Sequence, residues 1–407
     1  MKWQNKGHEF DTYGEKLAET FHERGDVFYI FGAGFLGSEI RAVIEKTGCF
    51  GGFIDNDERK QLSGVNGVKV FSLQEYLKME KKGLVILAVD KSNVPTIAKQ
   101  LCAAGLKLDK DYYEWDTFMK RVFPILSVYA NKQVYVELAQ ICLTERCTLK
   151  CRKCAHACYA VGPESEDMSI EQAKESADSF FAHVDMVKEF VLIGGEPFLY
   201  KELGEIITYI GERYRDKMVI FSITTNGTIL PDRAVLDLCK KYRVTVRISD
   251  YSGTLKRLEE KYTQIKEVLE NNGVIYTISE KEAKWMDYGF ETVNRGGVEE
   301  ELISAFDRCK TPCREIRGSH YYYCVMARSV SDNLKMETGK TDYLDLKELT
   351  KVDQKILLEF QMGYSEKGYL DMCNHCHGAD ASNYPILAAE QMKRNVSDEI
   401  ISNRTSL

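Results

Sequence analysis

Ten of the 13 cysteines in this 407-residue chain fall in two short groups, and no other sequence feature limits the fold as much. Cys142, Cys147, Cys151, Cys154 and Cys158 form the first group. Cys309, Cys313, Cys324, Cys373 and Cys376 form the second, which leaves Cys49, Cys102 and Cys239 outside. Residues 1–26 are polar and charged, without the basic and then apolar stretches of an export signal. The longest apolar runs, such as Leu84–Val89, fall far short of the roughly 20 residues that cross a bilayer. A cytoplasmic chain with no membrane partner is expected. In a reducing compartment, clustered thiols act as metal ligands or catalytic groups before they form disulfides. The 44% apolar and 29% charged fractions suit a globular protein. A net charge of −7 disfavours a nucleic-acid partner.

Around these groups the chain alternates short apolar runs with helical spacing, the pattern of an α/β fold with parallel sheets. Residues 1–25 read as a helical lead-in. Residues 26–120 read as a small Rossmann-like domain whose strands include Val27–Phe31, Gly52–Asp55 and Leu84–Val89. Gly32, Gly34 and Gly37 follow the first strand and open a helix, and Asp55 ends the next strand. That is the context of a dinucleotide fingerprint, in which the helix N-terminus takes a diphosphate and the acid a ribose hydroxyl. NAD, a nucleotide sugar, or a scaffold that keeps its glycines for turn geometry all fit it.

Residues 121–134 read as a connector, and residues 135–290 as a parallel barrel. Its strands are Tyr135–Leu143, Phe190–Ile193, Val219–Ile223, Val244–Ile248 and Val274–Ile278, with helices at 169–184, 201–214, 231–242 and 254–271. The second helix set starts on a capping pattern from Ser169 and Glu171 that is one residue out of register. The first cysteine group follows the first barrel strand as Cys147-x3-Cys151-x2-Cys154. Three thiolates are one short of a closed cubane or structural zinc, which leaves an open position. Recruiting Cys142 or Cys158 would close it. Gly194-Gly195-Glu196-Pro197 follows the second strand, Thr224-Thr225-Asn226-Gly227 the third, and Ser249-Asp250-Tyr251 the fourth. Carboxyl ends of barrel strands share one face, so these loops converge. There the glycines would let a ligand approach the backbone, and Glu196 could accept from an ammonium group.

The C-x3-C-x2-C loop followed by GGEP and TNG resembles the radical S-adenosylmethionine (SAM) superfamily over roughly residues 134–290. The resemblance implies a partial (β/α)6 barrel. It implies a catalytic 4Fe–4S cluster on Cys147, Cys151 and Cys154, with SAM on the open iron. It places Gly194, Gly195, Glu196 and Pro197 at the methionyl amino group, and Asn226 and Ser249 along the SAM pocket. A 5′-deoxyadenosyl radical would then abstract hydrogen from substrate. A zinc loop is the competing reading of the same spacing.

Residues 291–407 resemble a twitch or SPASM-type extension with one auxiliary 4Fe–4S cluster. The favoured ligands are Cys313, Cys324, Cys373 and Cys376, with Cys309 able to replace Cys313. A structural zinc is again the alternative. A redox-neutral reaction would need a thiol hydrogen donor, for which Cys142, Cys158, Cys239 and Cys309 are candidates. The leading expectation is an enzyme acting on a carbohydrate or nucleotide sugar by epimerisation, oxidation or dehydration. It would be fed by an electron donor such as flavodoxin or ferredoxin. A ribosomal-peptide maturase forming a cross-link and a non-catalytic metal-binding protein are the rivals.

Overall fold

The computed structural model describes residues 10–290, 292–336, 339–350, 353–363, 367–380 and 383–392. The expected lead-in is a helix over Asp11–Glu23, and residues 1–9 lie outside the described residues. Among the described residues no helix is long and apolar enough to cross a membrane.

Five short strands form the first sheet: β1 (Phe28–Phe31), β2 (Phe50–Ile54), β3 (Val70–Phe71), β4 (Leu84–Leu87) and β5 (Tyr112–Glu114). They are parallel, in the order β3-β2-β1-β4-β5. Burial on both faces explains why their sequences are unbroken apolar runs rather than alternating ones. The strand order reverses between β1 and β4, which opens a crevice at their carboxyl ends.

The stretch read as a connector is helical. A π turn over Phe118–Val122 runs into Phe123–Asn131, buried through Tyr129. FPILSVYAN is apolar on nearly every side, so it must lie inside the molecule, and its rings pack on both sheets: Phe123 meets Phe28 and Tyr135.

The second sheet runs β10-β9-β8-β7-β6-β12-β13-β14. Its parallel part is β6 (Tyr135–Cys142), β7 (Met186–Ile193), β8 (Met218–Thr225), β9 (Val244–Ile248) and β10 (Tyr276–Ile278). A short β11 (Lys284–Met286) pairs elsewhere, with β15 (Pro385–Leu387). A sixth parallel strand comes from the cysteine-rich region: β12 (Arg314–Arg317) lies beside β6. The antiparallel strands β13 (His320–Tyr322) and β14 (Tyr343–Asp345) extend that edge.

Helices Ile170–His183, Leu203–Tyr214, Arg233–Tyr242 and Glu259–Asn271 cover one face of the parallel strands. Phe180 and Phe181 of the first pack on Phe190 of β7. The cap of that helix is in register after all. Ser169 accepts from Gln172 N–H and the Gln172 side chain returns to Ser169, so Gln172 and not Glu171 completes the box. The third helix starts at Arg233, capped by Asp232, with Pro231 just outside it.

The irregular extension is locked to the barrel by a buried cation. Arg328, on a π turn over Met326–Val330, pairs with Glu315 of β12 and Glu145 of the loop after β6. Gln140 of β6 donates to the second Glu315 oxygen at 3.0 Å. Arg328 and Glu315 are each 1% exposed. Removing one partner strands the other charges in a low dielectric. Arg328→Leu should therefore cost about 3–5 kcal/mol, measured as a lowered urea midpoint, while Arg317→Leu at the strand's exposed end should cost under about 1 kcal/mol.

Candidate active site

The loop after β6 carries the first three thiols and is held from several directions. Arg146 forms a two-point pair with Asp167 (2.8 and 2.5 Å) and donates to Leu199 O at 3.0 Å. Thr144 Oγ1 donates to the same carboxylate at 2.5 Å. These contacts join the cysteine loop to the segments before the first barrel helix and after GGEP. Nothing in the cysteine spacing points to Arg146 or Asp167.

Gly194 and Gly195 do leave room for a close approach, but a different partner fills it. Gly195 N–H donates to Thr144 O at 2.8 Å and Glu196 N–H to Arg146 O at 2.9 Å. A Cβ at Gly194 would overlap Thr144 O, and one at Gly195 would overlap Arg146 O and crowd Cys147. The glycines thus serve backbone pairing with the cysteine loop. Pro197 begins a short 3-10 turn and is buried.

Glu196 is fully buried, and its carboxylate is already engaged. It accepts from Thr225 Oγ1 (2.8 Å), Asn226 N–H (2.9 Å) and Phe198 N–H (3.2 Å). Burial pushes the carboxyl up to about 7 against those three donors. These bonds brace the TNG turn.

Asn226 in turn donates to Cys147 Sγ at 3.5 Å and Thr148 Oγ1 at 3.2 Å. Gly227 takes φ +71° against the Tyr262 ring, where a Cβ would collide. Tyr262 Oη donates to Asn226 O and accepts from Tyr251 N–H. Ser249 N–H pairs with Thr225 O, and the Ser249 side chain bonds the Tyr251 phenol, which is buried beside Cys151 and Cys154. Cys147, Cys151, Cys154, Glu196, Asn226 and Ser249 therefore share one face at the carboxyl ends of β6–β9.

Two of the three sulfurs receive N–H groups. Cys147 also receives Leu149 N–H at 3.4 Å. Cys151 receives the Gln391 amide at 3.2 Å, from the far end of the chain. Cys154 and Cys158 act on each other, which lowers the Cys154 thiol and raises that of Cys158. Burial pushes Cys147 and Cys151 up to about 12, so binding a cation would displace protons. Such a donor set, thiolates with N–H groups aimed at the sulfurs, fits an iron–sulfur cluster. Among the described residues no three His, Cys, Asp or Glu side chains gather around a single point. The thiolates of an iron–sulfur cluster bind separate irons and need not do so.

The inward face of the barrel is polar and partly open. Glu189 and Ser222 alternate with Phe190 and Phe221, which pack together on the helix side. Arg247 Nη1 lies 2.5 and 2.6 Å from the two Glu189 oxygens, and Ser222 donates to Glu189 at 2.7 Å.

In the second group, Cys309, Cys324, Cys373 and Cys376 line one apolar cavity with Phe306, Leu370 and Met372. Cys313, which the favoured set includes, does not line it, and charges on Arg314, Glu315, Glu189 and Arg247 act on its thiol. Among the candidate hydrogen donors, Cys309 lines this cavity. Of the other candidates, Cys142 lies buried against Glu145, Cys158 against Cys154, and Cys239 inside the helix Arg233–Tyr242.

In the first sheet, a crevice of about 380 Å³ lies between Gly32, Gly34, Asp55, Lys60 and Val89. Gly37 packs against Gly32 O with no room for a Cβ, whereas nothing lies within 4 Å of a Cβ on Gly34. Asp55 accepts from Ala33 N–H (2.8 Å), Asp57 N–H (2.9 Å) and Lys60 Nζ (2.8 Å). Burial raises its carboxyl, but these donors outweigh it and the net shift is downward. Asp55 thus joins the glycine loop after β1 to its own loop.

Residues 141–276 match the Radical SAM superfamily. With the geometry above, that segment is a radical SAM catalytic core. The chain is 27% identical over 194 residues to the antilisterial bacteriocin subtilosin biosynthesis protein AlbA of Bacillus subtilis, covering 42% of this chain and 40% of that one. It is 25% identical to the Fe-coproporphyrin III synthase of Methanosarcina barkeri, over 62% and 58% of the two chains. It spans less than half the length of the first curated relatives it matches. A solved structure of BtrN in complex with AdoMet and 2-DOIA aligns over 64% of this chain and 98% of that one, at 17% identity and a TM-score of 0.38.

Gly195→Ala should force the GGEP turn off the cysteine loop. The expected cost is about 1–3 kcal/mol in urea unfolding, with faster alkylation of Cys147 in the iron-free chain.

Proposed function

We propose that the chain is a radical SAM enzyme acting on a small polar molecule held in the barrel. The carrying observation is the convergence of Cys147, Cys151 and Cys154 with the GGEP, TNG and Ser249 loops on one rim. When bound, a 4Fe–4S cluster and SAM supply a 5′-deoxyadenosyl radical that takes hydrogen from the substrate. The chain's own residues hold the site. Glu196 fixes the TNG turn, Asn226 and Gln391 donate to ligand sulfurs, and Tyr262 and Tyr251 close the wall beside them. Glu189, Ser222 and Arg247 offer paired donors and acceptors suited to a hydroxyl-rich substrate such as a carbohydrate or nucleotide sugar. The outcome is epimerisation, oxidation or dehydration.

The four-thiol cavity formed by Cys309, Cys324, Cys373 and Cys376 has the donor set of a second, fully ligated cluster. An external reductant, flavodoxin or ferredoxin in class, serves the first one, and a reducing cytoplasm suits both. A second reading, peptide maturation, is favoured by the likeness to the AlbA biosynthesis protein. A short precursor peptide that co-purifies is its signature.

Anaerobic reconstitution should load about eight irons per chain, Cys309→Ser about four, and Cys313→Ser about eight. Adding SAM and dithionite should release 5′-deoxyadenosine. Loaded protein that releases none would overturn the reading. About two zinc ions without iron or sulfide would establish a non-catalytic metal protein instead.

For the first sheet, the crevice above Gly34 supports binding of a nucleotide phosphate, as NAD or a nucleotide sugar would present. Equilibrium dialysis should therefore show retention of one of these, lost in Gly34→Val.

A further inference from the structure

The first cysteine loop is completed by a segment some 240 residues away. Cys151 pairs with Gln391 as an antiparallel bridge. Arg152 N–H donates to Glu390 O at 2.6 Å, and Met392 N–H donates to Lys150 O at 2.8 Å. The strap is anchored just upstream, where β15 pairs with β11 and Asp287 N–H donates to Tyr384 O at 2.9 Å. Asp287 also pairs with Lys153, inside the cysteine loop, at 3.1 Å.

Within this strap the Gln391 amide has one allowed orientation. Its oxygen accepts Lys150 N–H at 2.9 Å, while its nitrogen donates to Ala389 O at 2.8 Å and to Cys151 Sγ at 3.2 Å. A flipped amide would set oxygen against a carbonyl and a sulfur, and NH₂ against an N–H. Cys151 is buried, so water does not offer its sulfur an equivalent donor. Two sulfurs of the loop thus draw side-chain donors from distant parts of the chain: Cys147 from Asn226 after β8, and Cys151 from Gln391 in the strap.

We propose that Gln391 is a positioning residue for the catalytic cluster, holding the Cys151 ligand and raising the cluster's reduction potential. The proposal rests on the radical SAM reading above. An N–H directed at a ligand sulfur stabilises the extra negative charge of the reduced state, which makes reduction easier. The strap makes the catalytic loop depend on the C-terminal segment that also carries Cys373 and Cys376.

The test is an EPR-monitored redox titration of the reconstituted full chain, following the signal that changes when SAM is added. Gln391→Met keeps the length and main-chain pairing but removes the donor. It should lower the midpoint of that signal with iron and sulfide content unchanged. Gln391→Glu places an acceptor against the sulfur and should lower it further. Midpoints equal to the parent's in both variants would overturn the proposal, since a purely structural strap leaves the potential unmoved.

A second measurement needs no cluster. Met392→Pro removes the N–H that pairs with Lys150 O. In the iron-free chain it should speed alkylation of Cys151 several-fold relative to Cys147, and an unchanged ratio would overturn the strap's hold on that ligand. A parent chain that takes up neither iron nor sulfide would overturn the radical SAM reading, and the proposal with it. A loaded parent with unshifted variants overturns the proposal alone.

Discussion

Two hydrogen bonds, from Gly195 and Glu196 N–H to the carbonyls of Thr144 and Arg146, hold the rest of the site in place. They continue the β6–β7 ladder past the ends of both strands, so the cysteine loop leaves the barrel as part of the sheet and not as a free loop. The approach is close enough that neither Gly194 nor Gly195 can carry a side chain. Glu196 is consequently driven into the protein at a fixed depth. Its burial is costly, and three donors from two loops compensate it. Through Asn226 the constraint returns to Cys147, which closes a ring of contacts among β6, β7 and β8.

The cysteine-rich extension is tied into this ring at three points. Arg328 anchors it to the loop after β6 through Glu145. The strap around Gln391 closes over Cys151. Between them, Asp287 pairs with Lys153 while the neighbouring Tyr288 O accepts His377 N–H at 2.7 Å, one residue beyond Cys376. A displacement of the four-thiol cavity is therefore felt at the first cysteine loop through main-chain contacts. The extension is part of the site's frame rather than an appendage.

Much of this could be read in the sequence, for definite physical reasons. Barrel strands carry apolar residues such as Phe190 and Phe221 on the face that the helices cover, and polar loops mark their carboxyl ends. The sixth strand was missed because Arg314-Glu315-Ile316-Arg317 is mostly charged. Glu315 is buried only because Arg328 and Gln140 satisfy it, and neither partner is local. Residues 121–134 looked like a linker by position, although their all-round apolar sequence requires burial. Spacing singled out Cys147, Cys151 and Cys154 because they lie within eight consecutive residues. It could not rank Cys309 against Cys313, whose difference is set by the elements beside them. Cys309 closes the helix Glu299–Arg308 and faces the cavity. Cys313 immediately precedes β12 and does not line that cavity.

Cys313 also bears on the inner face of the barrel, since the groups acting on its thiol include Glu189 and Arg247, which pair there. The Tyr288 phenol feels Cys313, Cys376 and Cys309 together. Cys313 is thus within electrostatic reach of both the Glu189–Arg247 pair and the Tyr288 phenol. The sheet that holds the cysteine loop at the ends of β6 and β7 continues into β12, which Cys313 immediately precedes. One backbone ladder therefore sets the positions of both cysteine groups around the barrel.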